Sequence, residues 1–168
     1  MKLRREIIFT ELQPTLDEFK SHIRVTSSDL DGELSLKLQA ATQRAERYVG
    51  MTIARSRFTL SGKFTTSIAI ESYPLISVDS VAVDGLTVPV ENYTADENGL
   101  KFKEGVEGST VEVKYTAGLE QVPFDMKAAI LLDAAKLFNN PVDTVETLAK
   151  ASENLLRPFR TWGQERGK

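Results

Sequence analysis

Apolar residues follow different patterns in different parts of the chain, and each pattern predicts a kind of secondary structure. In residues 28–50 they recur at steps of three and four, the period of an amphipathic helix. From Met51 to Gly118, short alternating runs rich in Val, Ile, Thr, Phe and Tyr are separated by turn-forming residues, which is typical of β-strands. After Gly118 the helical period returns. The pattern predicts an α+β fold: a small helical core of about four helices, an inserted antiparallel β subdomain and an extended C-terminal tail.

The predicted domain boundaries lie where the pattern changes. Residues 1–50 are assigned to an N-terminal helix pair and residues 51–118 to the inserted β subdomain. Residues 119–157 are assigned to the C-terminal helices of the core, and residues 158–168 to the tail.

Local signals predict where the first two helices begin and end. Thr15 and Glu18 have the spacing of a capping box, so a short helix is expected to begin there. Ser28 is the predicted N-cap of the long second helix. Gly50 can adopt the left-handed conformation that ends a helix.

Three dipeptides predict local geometry in the β stretch. Asp84-Gly85 favours the tight turn of a hairpin, and Ser61-Gly62 is expected to form another turn. The apolar alternation misses a beat at Asp79-Ser80, which predicts a bulge or a bend in that strand.

Some apolar residues do not fit a helix that packs on one side only. Leu36 lies about 240° around the second helix from Leu30, among polar side chains, where a monomer would expose it to water. The helix predicted at Phe124–Phe138 is apolar nearly all round, and Leu131 and Phe138 lie outside its main stripe. Both helices are therefore expected to contact more than one partner.

Composition indicates an ordinary globular protein without disulfides. The chain has no cysteine, which excludes disulfides and thiolate metal sites and is compatible with a reducing compartment. No apolar run approaches the roughly 20 residues that cross a bilayer, so a soluble, unexported product is expected. The net charge of −3 gives no general attraction to nucleic acid. Residues 155–168 nevertheless carry four basic residues and one acidic residue, so the tail is basic on an acidic body.

The sequence offers little for catalysis. His22 is the only histidine, and no cysteine or nucleophile motif accompanies it, so neither a hydrolytic triad nor a histidine metal site is expected. The acidic stretch at residues 29–33 is not a calcium loop, because Gly32 comes too early and no acid closes the site. Glycine motifs that bind phosphate are absent. We expect no enzymatic activity, metal or cofactor.

Aromatic and basic side chains alternate near the C-terminus. They are Arg157, Phe159, Arg160, Trp162 and Arg166. Three roles fit this composition: the aromatic rings pack back on the protein's own core, the segment docks into a groove of another protein, or it stacks on single-stranded nucleic acid. The composition of the segment leaves these alternatives open.

Three segments, in this order, resemble the head–tail connector, or adaptor, proteins of long-tailed bacteriophages. LDEFKSHIRV, with LSLKLQAATQRAERYVG after it, is similar to the first two helices of the family. YPLISVDSVAVDG is similar to a Pro-Leu-x-x-Val-x-x-Val strand of members with a β insertion, and VEVKYTAGLEQVPFDMKAAILLDAAKLFNN to a later strand and helix. Matching positions in the first segment are Leu16, Lys20, Ile23, Arg24, Val25, Ala40, Ala41, Arg44, Tyr48 and Gly50. The chain departs from the family at Asn139-Asn140-Pro141, where members often have Tyr-x-Asn-Arg-Glu.

The resemblance implies a structural virion protein at the head–tail junction, assembled in the host cytoplasm. Adaptors of this family form a ring, typically of twelve subunits, beneath the portal protein, and a stopper or tail-completion protein joins from below. Packaged DNA passes through the ring without specific binding, and no membrane takes part. On this basis Leu36, Leu131 and Phe138 are expected at the subunit interface, and the aromatic and basic residues of the tail are expected to dock on the portal.

A different class of function also fits the predicted fold. The protein could be a tail-associated recognition module that binds carbohydrate or protein through its β subdomain. Such a module would need an aromatic platform on its loops. The aromatic residues of the β stretch instead fall mostly within predicted strands, which favours the structural interpretation.

Overall fold

The computed structural model describes residues 1–8, 13–96, 99–140 and 148–160. Its α+β architecture has helices and an inserted set of antiparallel strands, as predicted. The chain divides into two compact units, which we call the β unit and the helical unit. Among the described residues, the β unit comprises 1–8, 54–96 and 99–120, and the helical unit comprises 13–53, 121–140 and 148–160.

The helical unit contains four α-helices within the described residues. They are α1 (Leu16–Ile23), α2 (Asp31–Val49), α3 (Phe124–Asn139) and α4 (Lys150–Leu156). A short 3₁₀ turn, Arg157–Phe159, follows α4 directly, so the first residues predicted as extended tail are instead wound into this turn.

The predicted helix ends are partly right. The Thr15 side chain accepts from the Glu18 backbone N–H at 3.2 Å, and the Glu18 carboxylate accepts from the Thr15 backbone N–H at 2.7 Å, so the capping box is formed. These contacts lower the pKa of Glu18, the backbone N–H of Thr15 contributing most. Gly50 ends α2 in the left-handed conformation, with φ 78°. Ser28 is not the N-cap of α2, because the chain turns once more and Leu30 takes that position.

The core of the helical unit forms between α2 and α3, with α1 and α4 packed against them. The side chains that line it on these two helices are buried: Leu34, Leu38, Ala41, Ala45, Val49, Met126, Ala129, Ile130 and Ala134. Because α3 contacts α1, α2 and α4, its nearly all-round apolar surface is explained by three neighbours within its own unit.

The β unit contains eight strands within the described residues, arranged in two antiparallel sheets. The strands are β1 (Lys2–Ile7), β2 (Ser56–Lys63), β3 (Ser67–Ala69), β4 (Leu75–Val83), β5 (Leu86–Thr87), β6 (Tyr93–Asp96), β7 (Gly99–Phe102) and β8 (Thr110–Ala117). One sheet has the order β1-β2-β8-β4-β5 and the other β3-β7-β6. Their shared core includes the buried residues Phe58, Ile68, Val81, Leu100, Val113 and Tyr115.

The first strand corrects the predicted domain boundary. Residues 1–8 were assigned to the N-terminal helix pair, but β1 pairs with β2 and belongs to the β unit. A partner roughly fifty residues away along the chain decides this placement, and only Ile7, at the end of the strand, belongs to a run whose composition favours β structure. The Ser61-Gly62 turn was also wrong, since both residues continue β2.

The other two local predictions in the β unit are confirmed. The pairing of β4 with β8 shifts register between Val78 and Ser80, which places a bulge at Asp79. Asp84 and Gly85 join β4 to β5 with positive φ angles of 48° and 82°. The Asp84 carboxylate accepts from the backbone N–H groups of Ser109 and Thr110, and these bonds lower its pKa. They tie the hairpin turn to the start of β8.

Candidate functional site

Leu36 lies on the outer face of α2. Its side chain is 64% exposed, while the buried residues of the same helix, such as Leu34 and Leu38, lie on the opposite face. Gln43 and Arg47 share the exposed face with Leu36. A large apolar side chain among polar ones on an otherwise solvated face is a candidate protein contact.

The two α3 residues predicted for the same interface are less accessible. Leu131 and Phe138 are half-buried. Leu36, at 64% exposure, is therefore more accessible than either of them.

The described part of the predicted portal-docking tail lies next to α2. Arg157 and Arg160 are exposed, and Phe159 is half-buried in the 3₁₀ turn. The guanidinium carbon of Arg160 lies 5.3 Å from the centre of the Tyr48 ring, which is a cation–π contact. Trp162 and Arg166 lie outside the described residues.

A buried polar cluster fixes the start of α4. Asp133 on α3 is almost fully buried, and its Oδ1 accepts from the Ala149 backbone N–H at 3.1 Å. Its Oδ2 lies 3.4 Å from Nε of Arg44 on α2. Nearby, the buried hydroxyl of Ser152 donates to the Ala129 carbonyl oxygen at 2.9 Å. These contacts hold α4, and with it the first tail residues, against α2 and α3.

The pKa of Asp133 reflects its burial. Burial raises the pKa of Asp133, while the Ala149 N–H and the positive charges of Arg44 and Lys136 act in the opposite direction. Sequence reasoning missed Asp133 because an acidic residue on an apolar helix gives no sign of which long-range partner it will meet. Arg44 was noticed only as a position that matches the connector family.

Phe124 is a second apolar candidate that sequence reasoning missed. It was predicted as part of the core helix, but at the start of α3 its side chain is 87% exposed. It lies beside a shallow depression of about 470 Å³ that Gln13, Val122 and Lys127 also line.

The remaining chemistry is limited. His22 is exposed, and within residues 1–8, 13–96, 99–140 and 148–160 no three His, Cys, Asp or Glu side chains are grouped as metal ligands. No helix in the described part of the chain is both long and apolar enough to cross a bilayer.

In the β unit, Phe58 stacks on Tyr115 in the core, with ring centres 5.2 Å apart. These two aromatic rings thus serve packing rather than an exposed binding platform.

The chain matches a known protein family. The model of a family described as head completion protein matches residues 14–133, which is most of the chain. This chain belongs to the head completion protein family. Head completion proteins are structural proteins of the virion, so the resemblance to phage head–tail connectors is confirmed at the level of the family.

Solved structures share the fold of this head completion protein. A chain in the neck of an empty GTA particle, computed with C6 symmetry, matches with a TM-score of 0.71 and 21% identity over 97% of both chains. A second chain, in the neck of a native GTA particle computed with C12 symmetry, matches with a TM-score of 0.72 and 19% identity, also over 97% of both chains. A third chain, in the virion of a native gene transfer agent (GTA) particle, matches with a TM-score of 0.71 and 20% identity over 97% of both chains. No curated protein sequence matches this head completion protein.

Proposed function

We propose that this head completion protein is a non-enzymatic component of the neck of its particle. In this proposal its oligomeric ring lies between the portal and the tail, and a stopper or tail-completion protein binds below. The observation that carries the proposal is the family match, joined by a fold shared over nearly the whole chain with proteins of GTA necks.

The symmetry of those necks suggests the kind of interface that the ring uses. The GTA necks were computed with C6 and C12 symmetry, and a subunit in a cyclic ring touches its two neighbours through two different surfaces. We assign Leu36 on α2 to one such surface because it is apolar, exposed and opposite the packed face of its helix. Leu131 and Phe138, which are half-buried, would contribute at its margin. The number of subunits that we propose is twelve.

The C-terminal segment is the proposed portal contact. Arg157 and Arg160 present positive charge directly after α4, and the buried Asp133 cluster holds that helix in place. Arginine and aromatic residues together are typical of the centres of protein interfaces. The acidic balance of the rest of the chain suits a channel through which DNA passes without specific binding, since like charges repel.

Truncation tests the portal contact. Leu156 is fully buried, so we would end the chain after Leu156 and keep the core of the helical unit intact. This variant should lose binding to the portal protein of its own particle, at least tenfold in a pull-down titration. A variant that ends after Arg160 separates the contribution of Arg157, Phe159 and Arg160 from that of the last eight residues. Portal binding by both truncated forms at the level of the full chain would show that the contact lies elsewhere.

A further inference from the structure

Within the described residues, the larger sheet of the β unit leaves strand edges unpaired at both ends. At one end, β1 is the outermost strand. At the other, β5 is only two residues long and pairs with Ala82 and Val83, so it covers one end of the nine-residue β4. An open strand edge presents backbone groups that can pair with another strand.

No described strand pairs with the outer edge of β1. The Ile8 backbone N–H donates to the Arg55 carbonyl oxygen at 3.0 Å across the pair, so the even-numbered residues of this strand point their backbone groups toward β2. By alternation, the N–H groups of Leu3 and Ile7 point away from β2. These are the groups that a further strand would meet.

Strand direction also permits continuation into a second copy. The strands β1, β2, β8 and β4 are antiparallel in sequence across the sheet. β4 therefore runs opposite to β1. If a small rotation relates a neighbouring copy to the first, β1 of that copy would lie antiparallel to β4 of the first. The antiparallel order of the sheet would then continue into the neighbouring copy.

The apolar sides of the two edges match. Leu3 lies opposite Leu60 on the core-facing side of the sheet, yet it is 43% exposed because β1 is at the edge. Along the open part of β4 runs a groove of about 480 Å³ lined by Leu75, Val78, Tyr93 and Val90, which is 72% exposed. In a continued sheet, Leu3 of the next copy would enter this groove on the core side.

The polar sides are complementary in charge. Lys2 and Arg4 project from the face of β1 opposite to Leu3. Glu6 shares that face with them. At the other edge, the Asp79 carboxylate accepts from the Thr116 hydroxyl on the corresponding face. Two basic residues on one edge would thus meet the carboxylate of Asp79 on the other.

We propose that β1 of one subunit adds to the open edge of β4 in a second copy, with Leu3 seated in the groove beside β4. The contact uses two different surfaces, as a ring requires. This inference rests on the proposed ring and names one of its interfaces.

Engineered cysteines test the contact directly, because the chain has none of its own. We would combine Arg4→Cys with Ser77→Cys, and Arg4→Cys with Ser80→Cys, since all three side chains lie on the polar face of the sheet. Ring-forming samples, with portal present, are oxidised mildly and run on non-reducing gels. At least one double variant should give a ladder of covalent oligomers, and each single variant should stay monomeric.

Each other result has a distinct meaning. Rings without a ladder from either double variant would overturn the strand contact and leave the ring standing. A covalent dimer from Arg4→Cys alone would indicate a two-fold contact between β1 strands and would also overturn the inference. Wild-type protein that forms no ring would overturn the proposed function, and this contact with it.

A backbone substitution provides a second readout. Leu3→Pro removes an outward N–H that β1 does not use in its own sheet, whereas Leu3→Ala keeps it. We expect Leu3→Pro to need at least tenfold more protein than Leu3→Ala to form rings, with the melting of the two variants monitored by circular dichroism. Equal assembly by two folded variants would contradict the proposed pairing.

Discussion

Asp133→Ala is expected to lower the free energy of unfolding by about 3–5 kcal/mol, the usual cost of breaking a buried ion pair. The substitution removes the acceptor for the Ala149 N–H. It also leaves the charge of Arg44 in a buried position, where its Nη2 has no hydrogen-bond partner among the described residues. Urea denaturation followed by circular dichroism measures the loss.

Two further variants show whether breaking the ion pair causes the expected loss of stability. Asp125→Ala removes an exposed carboxylate from the first turn of the same helix and should cost at most about 1 kcal/mol. Replacing both partners, with Arg44→Met and Asp133→Leu together, should recover much of the lost stability, because no buried charge is then left alone. An Asp133→Ala protein as stable as Asp125→Ala would contradict this account of α4.

The sign of the pH dependence follows from the raised pKa of Asp133. Between the ordinary value of 3.8 and the higher folded value, the folded protein binds more protons at this group than the unfolded chain does. The contribution of Asp133 to stability therefore falls as the pH rises through that window. Asp133→Asn cannot titrate, so its difference in stability from wild type should change across the same window.

Leu36→Glu is expected to weaken ring formation strongly without unfolding the protein. Because Leu36 is exposed, the stability of the subunit should change by no more than about 0.5 kcal/mol. At a subunit contact, the loss of a buried leucine costs about 2 kcal/mol, and an unpaired carboxylate adds to that cost. The concentration needed for assembly should rise roughly 10- to 100-fold, which sedimentation velocity can measure.

A conservative substitution at Leu36 and a substitution at a buried position serve as controls for Leu36→Glu. Leu36→Met keeps the apolar surface and should assemble like wild type. Leu34→Glu, two residues earlier on the buried face, should unfold the helical unit instead. Normal assembly by a folded Leu36→Glu protein would remove Leu36 from the interface.

Several features that depend on neighbours in sequence could be predicted, although the Ser28 N-cap and the Ser61-Gly62 turn were wrong. The exposure of Leu36 follows from helical periodicity alone, and the Thr15–Glu18 capping box from a spacing of three residues. The Asp84-Gly85 turn needs only a dipeptide that tolerates positive φ. In each case a few adjacent residues decide the geometry.

Features that depend on distant partners could not be predicted. β1 owes its place in the sheet to Ser56–Lys63, and its charged sequence would read equally well as a loop. Asp133 meets Arg44 and Ala149 only after three helices have packed together. Phe124 looks like a core residue by its type, yet its position at the first residue of α3 exposes it.

Negative-stain electron microscopy of the purified, untruncated chain, with and without the portal protein of its particle, tests the central claim most directly. We predict closed rings of twelve subunits attached to the portal. A control sample of the portal protein alone should lack these rings. Isolated single subunits in both samples, with no density added to the portal, would contradict the account.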